Sequence, residues 1–198
     1  MSDALEARLA AAARALETPR VDFAARARDE GLADVAYTVE PSPLGDLMLA
    51  ITPRGLLKIS YADIYPTDAA LEDISERVSP RVLEDPAALD DVRRQLDEYF
   101  AGHRHQFDLP LDRVLMRGFG RRVLDRTARI PYGQVATYGE VARDIGSPRA
   151  SRATGNALGA NPIPIVVPCH RVIRSGGVIG NYGGGPERKI QLLELERG

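Results

Sequence analysis

The chain has 198 residues, of which 44% are hydrophobic and 27% charged, with a formal net charge of -2. That suits one medium domain or two small ones around a sizeable core, and argues against a disordered or fibrous chain. No apolar stretch approaches the ~20 residues of a membrane span, and the charged first thirty residues do not read as a signal peptide, so a cytoplasmic protein without membrane association is expected.

In chain order, Leu5, Leu9, Ala12, Ala13 and Leu16 recur at helical spacing and predict a helix over 4–17, ended by Thr18-Pro19. Residues 1–30 are expected to form a helical extension. Val35 to Val39 alternates as a strand does. Turns at Pro41–Asp46 and Pro53–Gly55 lead to strands over 47–52 and 56–61, an antiparallel meander. Helices are predicted over 67–78 and 86–101, the second with Leu89, Val92, Leu96, Tyr99 and Phe100 on one face. A polar linker runs to about Leu115. Beyond it, Gly118–Arg129 is amphipathic, and Thr137-Tyr-Gly-Glu140 has the form of a capping box opening a short helix that stops at Gly146. Ser147-Pro148 reads as the cap and first turn of a further helix to about Leu158, with Ala150, Ala153, Ala157 and Leu158 facing inward. Two short helices joined by a glycine-containing turn form a helix-turn-helix pattern, which is common in ordinary helical corners too. The expected organisation is α+β, with an α+β domain over 31–110 and a mostly helical one over 111–198.

Charge divides unevenly. Residues 1–100 hold 11 Lys+Arg against 20 Asp+Glu, whereas residues 101–198 hold 15 against 8. A basic half beside an acidic one suits a polyanion-binding face, but equally a solvated imbalance.

The single cysteine carries the chemistry. It lies in the run Asn161-Pro-Ile-Pro-Ile-Val-Val-Pro168-Cys169-His170-Arg171-Val172. One thiol forms neither an internal disulfide nor a cysteine-rich zinc site, which leaves inert packing or a nucleophile. Pro162, Pro164 and Pro168 keep the approach out of a helix, and the cationic neighbours His170 and Arg171 are expected to favour the thiolate. His103-Arg-His105 is the only metal-like spacing and lacks partners, so neither metal nor cofactor is expected.

The run N-P-x-P-I-x-x-P-C-H-R-V, followed by G-x-x-G-x-Y-x-G-G and K-x-x-L-L-x-x-E, resembles the O6-alkylguanine-DNA alkyltransferases, also called methylated-DNA–protein-cysteine methyltransferases. The match is close from about Phe119 to Glu196 and loose before it. The resemblance implies a ribonuclease H-like N-terminal domain and a C-terminal DNA-binding domain with an active-site loop. It implies one irreversible transfer of the alkyl group from O6-alkylguanine in duplex DNA to Cys169, with O4-alkylthymine left open. On the same footing, His170 acts on the thiol through a water and Glu196 orients it. Tyr138 donates to the leaving base and Asn161 ties the cysteine loop to the recognition segment. Leu158, Pro164, Val172, Tyr182 and Gly183 form the base pocket, where Gly183 stands in place of a serine found in some relatives. Arg152 enters the base stack, with Ser151, Gly155, Asn156 and Thr137 on the surface facing the minor groove. The implied partner is double-stranded DNA with alkylated bases, bound by a monomer, with cooperativity open. A lesion-flagging protein without transfer, a turnover cysteine hydrolase and a plain transcription factor are the alternatives. The first is disfavoured by the cysteine, the second by the helix pair and Arg152, and the third by the thiol.

Overall fold

The computed structural model describes residues 23–198, and the helix expected over 4–17 lies outside them. Helix α1 (Phe23–Asp29) belongs to a separate unit, and Ala33–Gly198 forms one compact body.

That body begins with a four-stranded sheet of order β3-β2-β1-β4, made of β1 (Val35–Glu40), β2 (Leu47–Thr52), β3 (Gly55–Tyr61) and β4 (Val82–Glu84). The meander is present as predicted, but the sheet is mixed. β4 adds parallel to β1, pairing Val35 with Val82. Three residues, Val-Leu-Glu, carry no period from which a strand could be read, and pairing alone defines it.

The central strand β2 is buried on both faces. Leu47 and Leu49 enter the larger core, while Met48 and Ala50 enter a smaller one with Val35, Leu57, Ala70 and Ile74. Strand alternation thus sends successive residues to opposite covered faces. Helix α2 (Thr67–Arg77) covers the smaller core through Ala70 and Ile74. A 3-10 turn (Pro86–Leu89) leads into α3 (Asp90–Phe100), whose Val92, Leu96 and Tyr99 enter the larger core.

The outer edge of β3 is closed by later parts of the chain. Leu56 N donates to the Pro110 carbonyl at 2.8 Å and Ile59 N donates to the Pro162 carbonyl at 2.8 Å. Gly55 has φ 125°, and a Cβ there would meet the Pro110 oxygen at 2.2 Å, so only glycine permits this approach. Buried Asp112 secures the crossing by accepting from Thr52 Oγ1 at 2.7 Å and Arg54 Nε at 3.0 Å.

The rest is helical: α4 (Gly118–Thr127), α5 (Tyr138–Asp144), α6 (Ser151–Gly159) and α7 (Pro186–Leu195). The capping box is formed as predicted: Thr137 Oγ1 accepts from Glu140 N, and the Glu140 carboxylate accepts from Thr137 N. Two details of the following helix differ from expectation. It begins at Ser151, because Ser147–Ala150 closes a turn of its own, with Ala150 N donating to the Ser147 carbonyl. Its docking also differs from expectation, with Thr154 and Leu158 pointing inward and Ala153 exposed. The two-residue pair β5 (Ala136–Thr137) and β6 (Val172–Ile173) ties the start of α5 to the cysteine segment, a link too short to show in sequence.

Candidate active site

Cys169 opens a 3-10 turn (Cys169–Arg171) and is 6% exposed. The loop before it is held by Asn161. Its Nδ2 donates to the Val167 carbonyl at 2.8 Å and to Cys169 Sγ at 3.1 Å, and its Oδ1 accepts from Ile163 N at 3.1 Å. Ile165, buried in the same loop, has φ 73°. A β-branched residue there is strained, and such strain persists only where surrounding contacts over-determine the backbone. Burial pushes the Cys169 thiol up to about 11, against the Asn161 hydrogen bond and the Lys189 charge. The resting group at neutral pH is therefore a thiol, not a thiolate.

His170 is wholly buried, with Nε2 2.9 Å from Glu196 Oε1. Glu196, at the C-terminal cap of α7, is the centre of a dense network. Arg171 donates to it twice, from Nε and Nη2, each at 2.8 Å. Tyr99 Oη donates at 2.7 Å and the Gly133 amide at 3.2 Å. Burial opposes its ionisation, but hydrogen bonds from His170 and Arg171 prevail and hold the carboxyl at about 2. An ionised carboxylate only accepts, so the imidazole proton sits on Nε2 and Nδ1 keeps a lone pair. That Nδ1 is buried and has no hydrogen-bond partner among the described residues. Burial also lowers the His170 pKa, so the ring rests neutral, with the Nδ1 lone pair open to a proton.

Cys169 lines a cavity of about 450 Å³ together with Leu158, Asn161, Pro164, Tyr182 and Gly183. Val172, predicted as part of that wall, does not line it. It is wholly buried in the β5–β6 pair, and its carbonyl accepts from Lys189 Nζ at 2.6 Å. Tyr61 of β3 reaches the same loop, its hydroxyl 2.8 Å from that of Tyr182. Gly184 lies flat on the Tyr61 ring, where a Cβ would come within 2.4 Å of it. Gly184→Ala is therefore expected to cost about 1–3 kcal/mol by overpacking, read as a lower urea midpoint at an unchanged slope.

Comparison with known proteins settles the family. Residues 35–113 match the 6-O-methylguanine DNA methyltransferase ribonuclease-like domain, and residues 118–198 match that family's DNA-binding domain. The methylated-DNA–protein-cysteine methyltransferase of Mycobacterium tuberculosis is 41% identical over 165 residues, covering 82% of this chain and 93% of its own length. The chain belongs to the O6-methylguanine DNA methyltransferase family. Another member, the constitutive methylated-DNA–protein-cysteine methyltransferase of Bacillus subtilis, is 36% identical over 166 residues, 81% of this chain and 94% of its own. A family structure, that of M. tuberculosis OGT in complex with DNA, aligns with a TM-score of 0.70 at 41% identity. It covers 82% of this chain and 92% of that one.

The remaining residues expected from the family pattern gather at a second cleft. Tyr138, Ser151, Arg152, Gly155, Asn156, Tyr182 and Gly183 line it, with Arg174 and Asn181. Tyr182 and Gly183 belong to both cavities, so the cleft and the thiol cavity share one wall. Burial raises the Tyr138 pKa, against the nearby Arg174 charge, so its hydroxyl stays protonated at neutral pH. Packing requires a glycine at neither helix position: a Cβ on Gly155 would make ordinary contact with the Tyr138 ring at 3.7 Å, and Gly159 faces open space. Thr137 is occupied with Glu140 and does not line the cleft.

Three site features were not read from sequence. Arg171 does not serve the thiol: its guanidinium is bound to Glu196 and to the Ile130 carbonyl at 2.6 Å. Lys189 is the buried cation whose charge acts on Cys169, and burial lowers its pKa to about 8. Tyr99, far upstream, completes the Glu196 network. Lys189 heads the K-x-x-L-L-x-x-E run that ends at Glu196, and that was the one available signal for it. His105, from the spacing examined for metal, instead stacks on Tyr132 at 4.1 Å. Among the described residues no cluster suits a metal ion, and no helix is long and apolar enough to cross a membrane.

Proposed function

We infer that this protein repairs O6-methylguanine in duplex DNA by moving the alkyl group irreversibly to Cys169. The observation that carries the reading is a lone thiol in a cavity beside a neutral imidazole whose tautomer is fixed by an ionised carboxylate.

The proton has to leave before sulfur can attack, because the buried resting group is a thiol. No hydrogen bond joins His170 to Cys169 among the described residues, so a water is the natural carrier from Sγ to Nδ1. The thiolate then attacks the alkyl carbon. The S–C bond forms, the C–O6 bond breaks, and the electron pair leaves on guanine. Tyr138 supplies a proton to the purine, with the imidazolium as the eventual source, so thiol and alkylguanine become thioether and guanine. Glu196 stabilises the imidazolium as it forms. Nothing in the site would cleave a thioether, so each molecule acts once.

A stacked base has to leave the duplex to reach the shared wall of the two cavities. Arg152, exposed at the start of α6, is the side chain to which we assign the vacated stack. Arg152→Ala is then expected to slow transfer from duplex at least about tenfold while leaving free O6-benzylguanine nearly unaffected. Equal losses on both substrates would remove this role. The reading as a whole is tested with a duplex bearing labelled O6-methylguanine and mass mapping of the Cys169 peptide. One label per protein on Cys169, with no second round, is expected; tight binding without label would place the protein among lesion flags.

A further inference from the structure

The cleft that holds Tyr138 and Arg152 contains a second arginine for which the transfer chemistry has no use. The cleft has a volume of about 480 Å³, and its wall carries two guanidiniums and no carboxylate. Its hydroxyls and side-chain amides, from Tyr138, Ser151, Asn156 and Asn181, can all donate as well. Such a wall suits an anion. Arg152 is assigned to the base stack, which leaves the charge of Arg174 unexplained. Arg174 is exposed. Its backbone N–H donates to the Val178 carbonyl at 2.9 Å, whereas its guanidinium has no hydrogen-bond or ion-pair partner among the described residues. By contrast, Arg126 and Arg188 are spent on Asp144 and Asp63.

Strand pairing fixes where Arg174 stands. β5 and β6 run parallel with Thr137 opposite Ile173, so the next residues, Tyr138 and Arg174, leave the pair side by side, roughly 5 Å apart in the backbone. The charge of Arg174 is accordingly felt at the Tyr138 hydroxyl. The cysteine turn runs directly into β6, which ties the thiol to the same frame. The chain then passes over the Tyr138 hydroxyl, where Gly180 leaves no room for a Cβ, and re-enters the cleft wall at Asn181.

We propose that Arg174 grips a phosphate flanking the extruded nucleotide and so retains the flipped base against Tyr138. The proposal rests on the reading of this protein as one that acts on a base flipped from duplex DNA. A nucleotide that leaves the stack carries its phosphodiester with it, and the backbone has to be held while the base is outside. A guanidinium stays charged and presents a planar fork of donors that matches phosphate oxygens. Arg152 fills the space that the base vacates, and Arg174 holds the backbone of the base that has left.

The test is single-turnover transfer from O6-methylguanine duplexes whose two flanking phosphates are replaced, one at a time, by neutral methylphosphonates. Arg174→Gln should slow transfer from the all-phosphate duplex about tenfold, the factor expected for one charge-assisted hydrogen bond. Arg174→Lys should recover part of that rate, because lysine keeps the charge without the fork. One of the two methylphosphonates should slow the wild type by a similar factor and Arg174→Gln hardly at all, since that contact is already gone. Penalties that multiply at both positions would show that Arg174 touches neither phosphate. Free O6-benzylguanine carries no phosphate, so its reaction should suffer far less from Arg174→Gln than transfer from duplex does. Equal losses on both substrates would place the action of Arg174 on Tyr138 and overturn the grip. Absence of transfer from the all-phosphate duplex in the wild type would instead overturn the duplex-acting reading beneath it, and the grip with it.

Discussion

Replacing Glu196 by alanine is expected to cost about 3–5 kcal/mol of folding stability and to abolish alkyl transfer. The carboxylate accepts from His170, from Arg171 twice, from Tyr99 and from the Gly133 amide. Removing it leaves a guanidinium that cannot lose its proton stranded in the interior. The measurement is urea unfolding, with Glu196→Gln as the informative companion. Glutamine keeps the shape and some of the hydrogen bonds but no counter-charge, so it should be milder than alanine and still slow transfer. The pH dependence follows from the same contacts. The folded carboxyl titrates near 2, below the ordinary value of 4.5. Its contribution is therefore fully present above about pH 4.5 and is lost as pH falls toward 2. Wild type should lose stability steeply across that window, and Glu196→Gln should show a shallower decline. Parallel curves for the two proteins would mean that Glu196 is not the group whose protonation is being read.

Cys169→Ala should lower transfer below detection and yet leave binding to lesion-bearing duplex intact. The structural cost is modest, because Asn161 Nδ2 keeps its bond to the Val167 carbonyl when Sγ is removed. About 1 kcal/mol is expected for loss of one buried sulfur. Transfer and stability therefore separate at residue 169 and fall together at residue 196. Labelled substrate reports the first, and calorimetry with a gel-shift titration reports the second. Residual label elsewhere on the chain would displace Cys169 as acceptor.

Where the sequence could be read and where it could not has a physical explanation at particular residues. The capping box at Thr137 and Glu140 was legible because both partners lie within one turn. The strand over 47–52 was legible because its boundaries are set by turn residues, although burial on both faces was not. The start of α6 was misplaced because Ser147-Pro148 suits a tight turn as well as a helix cap, and tertiary packing of Thr154 decides between them. Cys169, His170 and Glu196 were found through a motif resemblance. Their physical connection was not, since it depends on Tyr99 and Arg171, separated from Glu196 by 97 and 25 positions. Arg171 shows why adjacency in sequence misleads. One step along a 3-10 turn rotates the side chain away, and its charge serves the carboxylate instead of the thiol.

The covered border of the sheet has one more effect. A row of unsatisfied amides and carbonyls along a terminal strand is an invitation to another chain, and proteins that expose one risk fibres and swapped dimers. Here β3 spends those groups on Pro110, Leu111 and Pro162, and the opposite border ends in a three-residue strand close behind Pro80. A molecule consumed by its own reaction has to be replaced by fresh synthesis, and each new copy folds among spent ones. With both borders blunted, that crowd offers the nascent sheet no template on which to stack.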